Sequence, residues 1–471
     1  MHSDDTIAAI STPIGRGGIG IVRLSGRDAL KIADRIFISP KKKKISATPS
    51  HRIVYGHITE PSTGEIIDEV MVSIMKAPRT YTREDIVEIN CHGGALPLRR
   101  VLELVIKNGA RPAGPGEFTQ RAFLNGRLDL AQAEAVLDVI NAMTVQGQKA
   151  AVEQLRGGLS DKITAAREQL IELTAFVEAY IDFPDEDIES LSAKEMKERA
   201  LQIRDSLREL IESSEYGVIL REGLKVAITG RPNVGKSSLL NALLEHDRAI
   251  VTEIPGTTRD VIEDYLNIGG LPIRIMDTAG IRNVEDLAEK EGVRRSLMAM
   301  EEADMVLLIL DGSSELHETD IELIGKSKTE NTIFVINKSD LEQKINPPSS
   351  PFFKGGNFVP HLGKGGGGGV VSISAKKGTG LDLLKEKIVG TALHGKSWGG
   401  SAAVTNTRHV HSLQKALASI ESFITETSGK TPPEFLAVEL RDALDALGEI
   451  LGATTPEDIL ERIFTKFCIG K

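Results

Sequence analysis

The chain lacks most of the features that mark secreted, membrane-spanning and disulfide-stabilised proteins. Two cysteines, Cys91 and Cys468, occur among 471 residues, and they form neither a C-x-x-C pair nor a metal-ligand spacing. No apolar run reaches the ~18 residues that a membrane-spanning helix needs, and acidic residues stand near the N-terminus, where a signal peptide carries basic ones. These absences predict a protein of a reducing compartment, for which we expect a cytoplasmic location and no membrane insertion.

Positive charge is also in deficit. Lysine and arginine total 57 against 67 acidic residues, which gives a net charge of -10. The chain therefore has no global basic field that would attract nucleic acid, and any such contact requires a local patch or a partner. Residues 41–44, four consecutive lysines, are interpreted as a solvated loop rather than a binding element.

The pattern of apolar residues changes three times along the chain. Short β-branched stretches and Gly/Pro turns over residues 1–121 predict an α+β domain. Helical periodicity over residues 122–221 predicts long helices packed as a bundle. Strand and helix alternate over residues 222–393, as in a doubly wound, mostly parallel sheet, and residues 394–471 are helical again. The fold class is therefore multidomain, α/β and α.

Three local patterns carry narrower predictions. Thr455 is expected to cap a terminal helix whose first residue is Pro456, with acidic residues in the first turn. Residues 182–187 (DFPDED) favour a solvated turn over a metal site, because proline interrupts the helical pattern. Residues 346–369 are rich in proline, serine and glycine, which predicts a flexible surface insertion without chemistry.

A phosphate-binding loop is the strongest motif. The stretch KVAIT is followed by GRPNVGKS at residues 230–237 and then by SSLLNALL, so that the motif lies between a predicted strand and a predicted helix. Glycines let backbone N–H groups turn towards phosphates, and the helix N-terminus adds positive partial charge. Lys236 brings a point charge to the β- and γ-phosphates, and the Ser237 hydroxyl is a candidate Mg²⁺ ligand.

Two further stretches are candidates for the loops that sense the γ-phosphate. GTTRD begins at residue 256, and its pair of threonines offers a second hydroxyl ligand for Mg²⁺. DTAG follows a predicted strand and brings a carboxylate towards the metal and a glycine N–H towards the γ-phosphate. The residues are Gly256, Thr257, Thr258, Asp277, Thr278, Ala279 and Gly280.

Two loops that follow strands further along the chain predict which nucleotide base is bound. In NKSD (residues 337–340), the carboxylate of Asp340 can accept two parallel hydrogen bonds from guanine, which adenine cannot offer. SAK (residues 374–376) has the composition of a backbone contact to the guanine carbonyl. The predicted base-site residues are Asn337, Lys338, Asp340, Ser374, Ala375 and Lys376.

The hydrolytic machinery differs from that of a Ras-type GTPase. Ile281 stands where such an enzyme carries the glutamine that orients water. Asn233 offers an amide oxygen for a monovalent cation beside the phosphates, in place of an arginine finger. Acidic residues of the same loop are candidates to act on the attacking water, and composition alone does not choose among Glu285, Asp286, Glu289 and Glu291.

Together, GRPNVGKSS, IPGTTRD, DTAG, NKSD and the final FCIGK (residues 467–471) resemble the MnmE (TrmE) family of tRNA modification GTPases. The resemblance spans nearly the whole chain. Two features depart from it: the glycine-rich insertion, and Pro255 in a loop that must bend. The remaining matching motifs are GRGGIG (15–20), CHGG (91–94), PGEFT (115–119), RAFLN (121–125), LDLAQAE (128–134) and IDFPDE (181–186).

The resemblance implies an organisation and a set of partners. It implies an N-terminal folate-binding, dimerising domain (1–121), a helical domain in two parts (122–221 and 394–471) and an inserted Ras-like G domain (222–393). It implies a homodimer joined to a flavin- and NADH-dependent subunit, MnmG (GidA), in a heterotetramer that holds tRNA mainly through the complex. This complex adds a carboxymethylaminomethyl (aminomethyl-type) group at C5 of the wobble uridine, with a one-carbon unit from 5-formyltetrahydrofolate or a related tetrahydrofolate. K⁺-dependent GTP hydrolysis drives its conformational change.

The resemblance also implies roles for single residues. The water-orienting glutamate falls on Glu289, and Cys468 is a candidate thiol for the modification chemistry. The phosphate loop supplies Asn233, Val234, Gly235, Lys236, Ser237 and Ser238, and the K⁺ loop supplies Thr252, Glu253, Ile254, Pro255, Gly256 and Thr257. Potassium ligands are Asn233, Thr252, Ile254 and Thr257, and folate contacts are Arg23, Glu88, Arg127 and Lys471.

Two other functions remain open at the level of sequence. The first is a GTP-dependent interaction switch, for instance in ribosome assembly, whose N-terminal domain would serve only for dimerisation or RNA binding. The second is a folate-dependent methyltransferase whose activity would survive loss of GTP hydrolysis in a Lys236→Ala or Asp277→Ala protein. Folate titration separates the first alternative from the tRNA-modifying function, and these variants separate the second.

Overall fold

The computed structural model of the chain describes residues 5–182, 193–247, 265–276, 289–327, 330–345, 369–393, 404–427 and 431–471. Three bodies of structure follow the order that the sequence predicts: a mixed sheet with helices, a helical bundle, and a mostly parallel sheet whose flanking helices return the chain to the bundle. Within the described ranges, no helix combines the length and the apolar character that crossing a membrane requires.

The N-terminal domain is built on a sheet with strand order β3-β4-β5-β6-β2-β1-β7 among its described residues. Alternate residues of β5, Val70, Val72 and Ile74, are buried, so one face of the sheet packs under α1 and α2. The elements are β1 Ile7–Ile10, β2 Gly17–Ser25, α1 Ala29–Ile36, β3 Phe37–Ile38, β4 Arg52–Thr59, β5 Ile66–Met75, β6 Ile86–Gly93, α2 Ala95–Lys107, β7 Arg111–Pro112 and α3 Glu117–Leu124.

The core of the helical domain is formed by helices that precede the second sheet in the chain and by helices that follow it. Asp129 caps α4 in a capping box with Gln132, which fixes where the first helix starts. Apolar residues of α6, α7, α12 and α13 form one buried cluster, so helices before and after the second sheet share one core. The helices are α4 Leu130–Asn141, α5 Val145–Leu155, α6 Gly158–Asp182, α7 Ala193–Glu222, α12 Thr407–Glu426, α13 Pro433–Leu451 and α14 Glu457–Phe464.

The second sheet has the order β13-β12-β11-β8-β10-β9 among the described strands, and all its pairs are parallel except β9 with β10. Every residue of β11 and of β12 is buried, as expected for strands covered on both faces. The elements are β8 Leu224–Thr229, α8 Lys236–Asp247, β9 Tyr265–Ile268, β10 Leu271–Met276, α9 Glu289–Glu302, β11 Met305–Asp311, α10 Glu318–Lys326, β12 Thr332–Asn337, β13 Gly369–Ser372 and α11 Leu381–Ala392.

One local prediction is wrong. Thr455 does not cap the terminal helix, and Pro456 is not its first helical residue. Helix α14 begins at Glu457 with Pro456 as its N-cap, without a side-chain capping bond. The Thr455 hydroxyl instead donates to the carbonyl of Glu449 in the preceding helix at 3.0 Å, so it is engaged away from α14.

A buried polar cluster lies where the chain leaves and re-enters the helical domain. Glu134 of α4 accepts hydrogen bonds from His409 Nε2 at 2.7 Å and from Arg408 Nη2 at 2.6 Å, both at the start of α12. Asn406 Nδ2 donates to the same carboxylate at 2.9 Å. One helical turn further along α4, Asp138 pairs at 2.7 Å with Arg221, which lies just before β8. The cluster therefore fixes both connections to the second sheet.

Charge and burial oppose each other in this cluster. Burial alone would raise the pKa of the Glu134 carboxyl, but its contacts with His409 and with the Arg408 guanidinium outweigh burial and hold the pKa below its ordinary value. Burial lowers the pKa of His409, whose side chain is fully enclosed. Glu134 is thus ionised at neutral pH and is the common acceptor of this cluster.

Candidate functional site

The phosphate loop connects β8 to α8. Gly230 and Gly235 have φ of 143° and 102°, in the region that glycine tolerates. A Cβ added at Gly230 would meet the carbonyl of Ile309, and one added at Gly235 would meet the side-chain amide of Asn337. Asn233 also has a left-handed backbone, with φ of 62°. Strand, loop and helix thus follow the predicted order, and the loop's backbone leaves no room for larger residues at its two ends.

Lys236 begins α8 and folds back over the loop. Its Nζ donates to the carbonyl of Gly230 at 2.7 Å and to that of Arg231 at 2.9 Å. Burial lowers the pKa of this ammonium. The side chain is therefore held at the loop by neutral acceptors, which a bound polyphosphate would replace with charged ones.

Asn337, the first residue of NKSD, ties three of the predicted motifs together. Its Nδ2 donates to the carbonyl of Val234 in the phosphate loop at 2.8 Å. Its Oδ1 accepts from the backbone N–H of Ala375 at 3.0 Å. The side chain is buried, so it positions the loops rather than presenting an edge to a ligand.

The predicted guanine carboxylate is oriented by its neighbour across the site. Asp340 Oδ1 accepts from the hydroxyl of Ser374 at 2.7 Å, and Ser374 is fully buried. That hydrogen bond, more than any other contact, lowers the pKa of Asp340. The carboxylate is consequently ionised and fixed, as double acceptance from a base edge requires.

Two positioning residues escaped the sequence analysis. Asp311, at the end of β11, accepts from Lys338 Nζ at 2.6 Å and so holds the second residue of NKSD. Arg231 of the phosphate loop pairs with buried Asp320 at 3.1 Å. Asp311 could have been predicted, because it directly follows the apolar run MVLLIL and the ends of strands in such sheets surround the ligand. No comparable signal pointed to Asp320.

Several predicted site residues cannot be placed. Glu289 begins α9, but its side chain is outside what the structure describes. Residues 183–187 and 346–368 are also outside the described ranges. The same holds for the switch and K⁺-loop residues Thr252, Glu253, Ile254, Pro255, Gly256, Thr257, Thr258, Asp277, Thr278, Ala279 and Gly280 and for the loop residues Ile281, Glu285 and Asp286.

A second constellation lies on the N-terminal domain. Arg23 of β2 pairs with Glu88 of β6 at 2.8 Å, because the two residues face each other in the strand register. The same guanidinium reaches the carbonyl of Gly470 at 3.3 Å and lies 5.6 Å from the ring centroid of Phe118. The chain's last residue, Lys471, accepts from the N–H of Phe118 at 3.1 Å. Three of the four predicted folate contacts are thus brought together.

Arg127, the fourth, follows the C-terminal end of α3. Its guanidinium stacks 4.9 Å from the ring centroid of Tyr81 and donates to the Tyr81 carbonyl at 3.1 Å. The Tyr81 hydroxyl in turn contacts Thr119 at 2.9 Å, next to Phe118 in sequence. Aromatic rings therefore link the two arginines across the start of α3, which the sequence analysis did not anticipate.

The two cysteines differ in environment. Cys91 is buried in the N-terminal core, and burial raises the pKa of its thiol to about 12. Cys468 is exposed, although the neighbouring Phe467 is buried. Its backbone carbonyl accepts from Gly116 at 3.4 Å and from Lys471 at 3.3 Å, which fixes the segment while the thiol faces solvent. Only Cys468 is accessible for chemistry.

The fold and the nucleotide site define this protein as a P-loop GTPase. Two family models match it: "GTP-binding protein TrmE N-terminus" over residues 6–127 and "MnmE helical domain" over residues 130–468. The chain belongs to the MnmE family of tRNA modification GTPases, and it is an enzyme that hydrolyses GTP in the service of tRNA modification.

Relatives match over their full length. The tRNA modification GTPase MnmE of Alkaliphilus oremlandii is 46% identical over 473 residues, covering 100% of both chains. That of Thermoanaerobacter pseudethanolicus is 49% identical over 468 residues, covering 99% of both. Among solved structures, the G domain of the T. maritima FeoB iron transporter is 29% identical over 36% of this chain and 98% of its own, with a TM-score of 0.24.

Proposed function

We propose that this GTPase acts with a flavin- and NADH-dependent partner, MnmG, in a heterotetramer built on a homodimer. In it, a carboxymethylaminomethyl (aminomethyl-type) group is added to C5 of the wobble uridine of certain tRNAs. The one-carbon unit comes from 5-formyltetrahydrofolate or a related tetrahydrofolate. The observation that carries this proposal is the convergence of Arg23, Glu88 and the 467–471 segment on the N-terminal domain of a chain that also holds a guanine site.

In the nucleotide site, Lys236 is assigned to the β- and γ-phosphates. The whole segment 233–238 is assigned to the loop that surrounds the phosphates. Support comes from the backbone of Gly230 and Gly235 and from the position of the ammonium over the loop. Ser237 and Thr258 are assigned to Mg²⁺, which when bound would neutralise the charge that develops on the β–γ oxygens. Asp277 to Gly280 complete the γ-phosphate contacts.

Asp340 is assigned to the guanine edge, and Asp340→Asn is expected to exchange base preference. Asparagine would offer a donor where the carboxylate offers an acceptor, which suits the C2 carbonyl of xanthine instead of the amine of guanine. We expect GTP affinity to fall about 100-fold or more and XTP to become the better ligand. Titration with fluorescent nucleotides measures both affinities, and unchanged preference for GTP would remove Asp340 from the base site.

Hydrolysis is assigned to Glu289, which would orient the attacking water, together with a K⁺ site formed by Asn233, Thr252, Ile254 and Thr257. Asn233 supports this assignment, since its left-handed backbone places a short amide side chain, which is exposed, at the turn of the phosphate loop. When bound, K⁺ would supply the positive charge that an arginine finger supplies elsewhere. GTP hydrolysis should be at least about tenfold faster in K⁺ than in Na⁺, and equal rates would contradict the assignment.

The folate site is assigned to Arg23, Glu88, Arg127 and Lys471. Arginine forks suit the glutamate carboxylates of folate, a carboxylate suits the N–H groups of its pterin, and the rings of Phe118 and Tyr81 offer faces for stacking. The pair between Arg23 and Glu88 satisfies both charges in the protein alone, so a bound folate would compete for them.

Arg23→Ala in the full chain is expected to weaken 5-formyltetrahydrofolate binding by roughly 10–100-fold, the cost of losing a charge-assisted hydrogen bond. Arg99→Ala is the matched control, because Arg99 pairs with Glu103 on the exposed face of α2 and should leave affinity unchanged. Isothermal titration measures both. If the wild-type chain shows no saturable folate binding, the interaction switch becomes the better account of the N-terminal domain.

Cys468 is assigned to the modification chemistry as an accessible thiol beside the folate constellation. The hydrogen bonds that fix its backbone to Gly116 and Lys471 support the assignment, because they fix the main chain from which the thiol extends. A Cys468→Ser protein that modifies tRNA fully in a reconstituted assay with the flavin-dependent partner would remove the thiol from the reaction.

A further inference from the structure

The four lysines at residues 41–44 form, with Lys76, a surface that we call the basic loop. All four consecutive lysines are exposed. Lys76 joins them because its Nζ donates at 2.8 Å to the carbonyl of Ser46, two residues beyond the run. In the described part of the chain, none of the four lysines forms an ion pair with an acidic side chain.

The backbone of the loop is fixed even though its side chains are solvated. The hydroxyl of Ser39 accepts from the N–H of Lys43 at 2.9 Å and donates to its carbonyl at 3.2 Å. Thr48 donates to the carbonyl of Lys44 at 3.1 Å. Ile45 is 1% exposed and anchors the end of the run in the N-terminal core. The four ammonium groups are therefore displayed from a rigid base.

The loop is an exception in an acidic protein. The whole chain carries a net charge of -10, yet five lysines gather here. The carboxylate of Asp34 accepts from the N–H of Ser46 at 3.1 Å. Lysines without partners repel one another, and a multivalent anion would relieve that repulsion and release its own counterions. The loop is thus suited to a polyanion.

We propose that the basic loop binds the sugar–phosphate backbone of tRNA. The inference rests on the tRNA-modifying role of the family and adds to it a contact made by this chain itself. An RNA fits better than an anionic membrane, because peripheral membrane binding combines basic residues with inserted apolar ones. Ile45, the large apolar residue that directly follows the lysines, is buried, and the exposed Ile38 belongs to strand β3 rather than to the loop.

The test compares the full-length wild-type chain with a variant in which Lys41, Lys42, Lys43 and Lys44 are all alanine. Affinity for an unmodified tRNA transcript is measured over a series of salt concentrations. The variant should bind at least about tenfold more weakly near 0.1 M salt, and the negative slope of log affinity against log salt should become shallower by about 3. A variant with four arginines should bind like the wild type, and GTP hydrolysis and folate binding should be unchanged in both.

The matched control removes four exposed lysines elsewhere and should keep the wild-type slope; it replaces Lys149, Lys162, Lys194 and Lys326 by alanine. Equal affinity and slope for the wild type and the loop variant would overturn the proposal, as would the absence of tRNA binding by the wild type. If the loop variant lost binding to vesicles of phosphatidylserine and phosphatidylcholine but kept its affinity for tRNA, the proposal would be overturned in favour of a membrane. Retained folate and GTP activities in those cases would leave the proposed function standing.

Discussion

Lys236→Ala is expected to lower the rate of GTP hydrolysis at least about 100-fold, the cost of removing one charged donor from a transferring phosphoryl group. The Lys236 ammonium lies over the phosphate loop, 2.7 Å from the carbonyl of Gly230, and no other lysine of that loop exists in the sequence to replace it. Steady-state phosphate release at saturating GTP measures the rate.

Lys225→Ala is the control for this variant. Lys225 is exposed on β8 at the end of the strand away from the phosphate loop, so the same truncation should leave the rate unchanged. Circular dichroism should show that both proteins are folded. A Lys236→Ala protein that hydrolyses GTP within about twofold of the wild-type rate would contradict the assigned role, since even one lost donor costs far more than that.

Glu134→Ala is expected to lower the free energy of unfolding by about 3–5 kcal/mol, because it leaves the partly buried Arg408 guanidinium without its carboxylate partner. It also removes the acceptor of His409 and Asn406, which are buried. Chemical denaturation followed by circular dichroism measures the change. Glu178→Ala is the control: its pair with Arg441 is largely exposed, and the expected change is below about 1 kcal/mol.

The same cluster should make stability depend on pH. Because the pKa of folded His409 lies below its ordinary 6.5, the unfolded chain takes up this proton first, and stability falls as the pH drops below about 6.5. The lowered pKa of Glu134 means that its contribution is lost only at still lower pH. Replacing His409 by asparagine should flatten the loss between pH 7 and 5. An equally steep loss in that variant would show that another group causes it.

The parts of the protein that could be predicted from the sequence are those formed by contiguous residues. Strand, loop and helix around GRPNVGKS, and the strands before NKSD and SAK, follow from local periodicity and turn chemistry. Helical periodicity also predicted the bundle, since the long amphipathic segments on both sides of the sheet domain have no other way to bury their apolar faces.

Contacts between distant residues were not accessible in this way. Nothing local distinguishes Glu134 from any other helical glutamate, and its partner Arg408 lies 274 positions away. The interaction of Asn337 with Val234 likewise depends on how two strands pack. The folate constellation was predicted only through family resemblance, because each of its residues alone is indistinguishable from surface charge.

We expect GTP hydrolysis by this chain to be needed for modification of the wobble uridine of tRNA. Mass spectrometry of wobble uridine in tRNA from cells that lack the gene tests it, with cells complemented by the wild-type or the Lys236→Ala protein for comparison. The carboxymethylaminomethyl-type modification should disappear without the gene, return with the wild-type protein and stay absent with Lys236→Ala. Unchanged modification in the deletion strain, or full restoration by Lys236→Ala, would contradict the claim.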